Sequence, residues 1–136
     1  MILIDSSVLV ALDVEKDAHH ETASKLMARI VGGDFGKGVV TDYIFDETVT
    51  VIMSRSSSVK KAVTTGEKIK EAFAILKTDE DAFDQAWRIF RNQTDKAALS
   101  FTDCATLAIS QSNDIPYLAT FDSGFKSANG LKVIGS

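Results

Sequence analysis

Residues 1–13 read MILIDSSVLVALD. Three aliphatic residues, Ile2, Leu3 and Ile4, run without alternation into Asp5, and a second apolar series starts at Val8. A short unbroken apolar run bounded by polar residues fits a strand buried on both faces, the habit of a parallel sheet covered by helices. Residues 6–12 then read as a short helix. The fold class turns on whether this strand–helix unit recurs.

Its recurrence is legible along the chain. Residues 18–31 carry Ala23, Leu26, Met27, Ile30 and Val31 at three-to-four spacing, and Gly32-Gly33 supplies a stop. Residues 38–41 read as a second strand and 42–54 (DYIFDETVTVIMS) as a strong helix. Arg55-Ser56-Ser57-Ser58 is the clearest loop. Residues 59–73 read as helical, with Gly66 a weak point. Residues 74–76 suit a third strand, 79–92 an amphipathic helix and 101–112 a further helix. Pro116 opens a strand over 117–120, where its missing N–H is tolerated, and 132–134 suit a last short strand. Strands alternating with helices imply right-handed crossovers and a mainly parallel sheet in an α/β/α sandwich. With 136 residues and no long linker or internal repeat, one domain over 1–136 is expected.

The functional question then moves to the carboxyl ends of the strands, outside which open α/β sheets bind ligands. Asp5 follows the first strand and Asp122 follows 117–120 by two residues. Glu47 sits among Ile44 and Val51 on its helix, where a carboxylate costs free energy unless partnered. Asp103 stands near the start of 101–112. If these helix starts overlie one sheet edge, Asp5, Glu47, Asp103 and Asp122 converge. Four such groups repel unless a cation sits among them. An oxygen-only set without Cys or His suits Mg²⁺ or Mn²⁺, which activates water and offsets phosphate charge. Each acid also has a plain structural reading. Asp5 suits an N-cap, Asp103 complements a helix N-terminus, and Asp122 suits the turn in FDSG. His19-His20 read as surface residues, Asp13, Glu15 and Asp17 as a solvated loop, and Asp42 and Asp46 as a cap and an exposed position. Phe83, Trp87 and Phe90 read as core.

Composition sets outer limits. Hydrophobic residues make up 45% and charged residues 25%, ordinary for a globular protein. The net charge of −4 speaks against holding nucleic acid by bulk electrostatics alone, although Arg55, Lys60, Lys61, Lys68, Lys70, Arg88 and Arg91 could form a local basic cluster. The lone Cys104 cannot form an internal disulfide. No run reaches the roughly 18 apolar residues of a membrane span. The start has no basic segment ahead of its apolar run. A cytoplasmic protein with no membrane segment is the expectation. No Gly-rich phosphate loop follows the first strand, which removes the usual support for nucleotide binding.

Taken in order, IDSSVLVAL, VVTDYIFDETVTVI, LSFTDCATLAIS and LATFDSGF resemble the PIN-domain family, most of all the VapC-type toxins of prokaryotic toxin–antitoxin pairs. The resemblance implies a three-layer α/β/α fold and a Mg²⁺- or Mn²⁺-dependent ribonuclease. By match to the family pattern, Asp5, Glu47, Asp103 and Asp122 are its acids, Ser6 the hydroxyl beside the first Asp, and Thr102 and Thr120 supporting residues. A VapB-type antitoxin and a homodimer are implied as partners. Competing Asp-rich folds fit less well. A receiver domain wants paired acids after the first strand and a Lys where Thr120-Phe121-Asp122 stands. A haloacid-dehalogenase-type phosphatase wants Asp-x-Asp, and Ser7 holds the second position. A PIN-like module that binds RNA without cutting it is disfavoured by the intact acid set.

Overall fold

The computed structural model describes residues 1–127 and 130–135. Five strands, β1 (Ile2–Ile4), β2 (Gly38–Thr41), β3 (Ala74–Leu76), β4 (Tyr117–Ala119) and β5 (Lys132–Ile134), form one sheet in the order β3-β2-β1-β4-β5. Every pairing is parallel. Strand β1 is central, with Leu3 opposite Val39 on one side and Leu118 on the other. The helices are α1 (Ser6–Asp13), α2 (His20–Val31), α3 (Asp42–Ser56), α4 (Val59–Ala72), α5 (Glu80–Arg91) and α6 (Phe101–Ser112), and a 3₁₀ turn spans Ser123–Ser127.

The two-residue period of a strand explains the layers. Ile2, Ile4 and Val40 point into one core with Leu9, Leu26, Ile30 and Ile69, which come from α1, α2 and α4. Leu3, Val39 and Leu118 point the other way, onto Leu107 of α6 and Ile89 of α5. Ile2, Leu3 and Ile4 are all fully buried. This is why the opening run is continuous rather than alternating.

The expected elements are present, with shifted ends. Helix α2 starts at His20, two residues later than its pattern suggests. The expected loop 55–58 is shorter: α3 continues through Ser56, Ser57 turns the chain at φ 54°, and Ser58 caps α4 by accepting from the Lys61 N–H. The αL cap halts the helix without glycine. Thr41, not Asp42, is the N-cap of α3, and Asp42 instead accepts from the Thr78 N–H and hydroxyl. Asp13 ends α1 and accepts from Thr65 Oγ1, so it is not a loop residue. Phe83, Trp87 and Phe90 are not core. They are 46, 50 and 38% exposed, on the flank of α5 away from buried Ala82 and Ala86. The proposed basic residues are dispersed: Lys60, Lys61 and Lys68 share one surface hollow, whereas Arg88 and Arg91 lie on α5.

Candidate active site

In the strand order β3-β2-β1-β4-β5, consecutive connections leave β1 in opposite directions, so the switch point lies between β1 and β4. The chain leaves both strands there. Asp5 follows Ile4, and its N–H donates to the Ala119 carbonyl at 2.9 Å. Thr120 and Asp122 follow Ala119.

Asp5 occupies the N-cap position of α1 but makes no side-chain cap bond. Its carboxylate turns sideways. Oδ2 accepts from Thr120 Oγ1 at 2.7 Å and from Ser7 Oγ at 2.9 Å. Ser7 Oγ accepts in turn from the Phe121 N–H, and Thr120 Oγ1 from the Asp122 N–H. The two strand ends are thus laced by hydroxyls around a side chain only 4% exposed. Burial pushes the Asp5 carboxyl above its usual range; the two hydroxyls pull it down, and Asp122 adds repulsion.

The other acids arrive from helices. Thr41 caps α3 through the Ile44 N–H, and the next turn presents Glu47, half-buried and accepting from Ser6 Oγ at 2.9 Å. Ser100 and Asp103 form a reciprocal capping box at the start of α6. Asp103 therefore does complement its helix N-terminus, yet its carboxyl is raised from 3.8 to about 6, first by burial and then by Asp5. Asp122 is also the turn residue it resembles, accepting from the Gly124 N–H at 2.8 Å. All four acids line one cavity of about 430 Å³.

The supporting residues divide. Ser6 and Thr120 bond directly to site carboxylates. Thr102 is half-buried, and in the described bonds only its carbonyl takes part, accepting from Thr106. Ser7 and Ser100 were not singled out from the sequence. The S-x-x-D spacing at Ser100 was a usable signal; nothing local marks Ser7, whose partners beyond neighbouring Asp5, namely Thr120 and Phe121, are more than a hundred residues away.

The chemistry of these donors fits a divalent cation. The described ion pairs join Lys25 to Glu21, Arg29 to Asp34 and Arg55 to Asp17, and none involves the four acids. Among the described residues no three His, Cys, Asp or Glu side chains close around a single point. An oxygen-only donor set is the chemistry Mg²⁺ takes, through one or two carboxylates and its own waters.

The PIN-domain family model matches residues 2–131 of this chain. The chain belongs to the PIN-domain family. Among PIN proteins it is similar to a VapC ribonuclease of Archaeoglobus fulgidus, 26% identical over 90% of this chain and 78% of that protein. It is also 24% identical to the 23S rRNA-specific endonuclease VapC20 of Mycobacterium tuberculosis over 98% of both. The crystal structure of that protein, described as a toxin cleaving the sarcin–ricin loop, superposes with a TM-score of 0.85 over 98% of each chain at 25% identity. A toxin–antitoxin complex from Klebsiella pneumoniae shares the fold, with a TM-score of 0.67 over 96% of this chain and 95% of that one at 14% identity. No described helix is long and apolar enough to cross a membrane.

Proposed function

We propose that this PIN domain is a Mg²⁺- or Mn²⁺-dependent ribonuclease of the VapC type, the toxin of a toxin–antitoxin pair. The observation that carries the reading is the cavity at the β1–β4 switch point, where Asp5, Glu47, Asp103 and Asp122 gather without a Lys or Arg partner among the described residues. The full-length likeness to two VapC nucleases supports RNA as the substrate.

These four carboxylates would hold the ion directly or through its waters, and when bound it would activate water and offset charge on the scissile phosphate. The rest falls to the chain. Thr120 and Ser7 hold Asp5 at one oxygen and fix its rotamer. Ser6 holds Glu47 across 41 residues of sequence. The capping box ties Asp103 to the helix start, so its position follows the rigid α6. Asp122, the exposed member, suits water orientation.

A VapB-type antitoxin, a homodimer and a cytoplasmic setting complete the proposal. Exposed apolar surface supports protein partners. Phe83, Trp87 and Phe90 project from α5, and an apolar groove of about 560 Å³ between α3 and α4 exposes Met53, Val59 and Val63.

The test is cleavage of a mixed RNA pool with Mn²⁺ or with a chelator, with product ends mapped to the nucleotide. Discrete ends that require the metal are expected. An intact pool, or cleavage indifferent to the chelator, would overturn the reading.

A further inference from the structure

The acid cavity has a second wall that the four carboxylates do not explain. His19, exposed at the N-cap of α2, stacks on Phe121 with ring centroids 4.5 Å apart and planes 14° from parallel. Phe121 is half-buried, and its N–H is held by Ser7, the hydroxyl that also bonds Asp5. Asp17 organises the same wall. One of its oxygens accepts from the His19 N–H at 2.8 Å, and the other lies 3.9 Å from the Arg55 guanidinium. His19, Phe121, Asp17 and Arg55 all line the cavity that holds the acids. Among the described residues Arg55 is the one Lys or Arg in its lining. Its contact with Asp17 is long and its side chain 60% exposed, so the guanidinium is available to a new anion.

We propose that this wall is a nucleotide subsite that sets which linkage of the RNA is cut. The base beside the scissile phosphate extends the Phe121–His19 stack on the open face of His19, and Arg55 engages a neighbouring phosphate. Three features favour this over simple loop packing. His19 is exposed although it stacks on Phe121, as a stacking platform requires. A polyanion entering a cavity of carboxylates gains from a cation in its lining. The shared Ser7 fixes the stack relative to Asp5, so the base position is in register with the reacting centre. The inference rests on the ribonuclease reading above.

The test is a double-mutant cycle between protein and substrate. Once a cleaved linkage is mapped, short RNAs are made with the base removed at each flanking nucleotide. The wild-type chain loses at least about fivefold in kcat/KM at one flanking position, the loss of one stacked base. His19→Ala loses the same amount on intact RNA and nothing further on that abasic RNA. Arg55→Met raises KM and lowers the log–log salt slope of binding by about 0.7, one phosphate contact to a single strand. If His19→Ala and wild type lose equally at every abasic position, the subsite is refuted. Binding of the same RNAs to the Asp103→Asn chain, with and without His19→Ala, separates the two readings. Coupling in binding with no cleavage by wild type would refute the nuclease and leave the subsite standing. Additive binding together with metal-dependent cleavage would do the reverse.

Discussion

The centre of the site is a contest between burial and charge at single residues. Asp103 shows it best. Its carboxyl is raised to about 6, so the folded chain takes up a proton between about pH 6 and pH 4 that the unfolded chain does not. The stabilising contribution of that proton is present at acid pH and is lost as pH climbs through 6. Above pH 6, without metal, the ionised group therefore weakens the fold. Asp103→Asn removes the buried charge and keeps an oxygen that can accept from the Ser100 N–H, so the capping box survives in weaker form. Relief of roughly 1–2 kcal/mol, reduced by the solvent that screens this partly exposed group, exceeds the fraction of 1 kcal/mol lost from charge at a helix N-terminus. The variant should be about 1 kcal/mol more stable than wild type in chelator at pH 7.5, with the gap closing toward pH 4. Chemical denaturation at the two pH values measures this, and a variant less stable at both would mean that Asp103 is only a helix cap. In activity the sign reverses. A carboxylate must shed its proton to hold a cation, so cleavage at limiting metal should fall as pH drops below about 6.

At the scale of elements, much of the site was legible because backbone chemistry and function coincide. Ile2 to Ile4 announce a strand buried on both faces, and Asp5 stands at its end whatever its role. Glu47 is out of place on an apolar helix stripe, and that mismatch marked it. Ser7 escaped because Thr120 and Phe121, which tie it to the second strand end, meet it only after β1 and β4 pair. The aromatic residues of α5 were misread because their 3.6-residue spacing marks an apolar face without saying what covers it. The end of α3 was misread because a Ser-rich stretch lowers helix propensity only slightly, and the αL turn at Ser57 ends the helix one residue beyond Ser56. That turn yields a prediction. A non-glycine residue at φ 54° is strained by roughly 1 kcal/mol, and glycine is not. Ser57→Gly should raise stability by about 0.5–1 kcal/mol, after the extra chain entropy of glycine offsets part of the gain. A rise in the denaturation midpoint at unchanged slope checks it; a fall would place the strain elsewhere.

For the whole molecule, the fold brings together side chains that lie up to 117 positions apart, from Asp5 to Asp122, at the point where the sheet reverses its order. The chain carries an overall negative charge, and the proposed RNA chemistry rests on four carboxylates that line one cavity rather than on a basic face. These carboxylates are proposed to work together on a bound divalent metal. The most direct measurement is the single-turnover rate of RNA cleavage against Mn²⁺ concentration, for wild type and for Asp5→Asn, Glu47→Gln, Asp103→Asn and Asp122→Asn. A rate that saturates in Mn²⁺ for wild type and falls at least about a hundredfold in the Asp5 and Asp103 variants, while each variant stays folded, is the predicted result. Rates and Mn²⁺ dependence unchanged in those variants would contradict it.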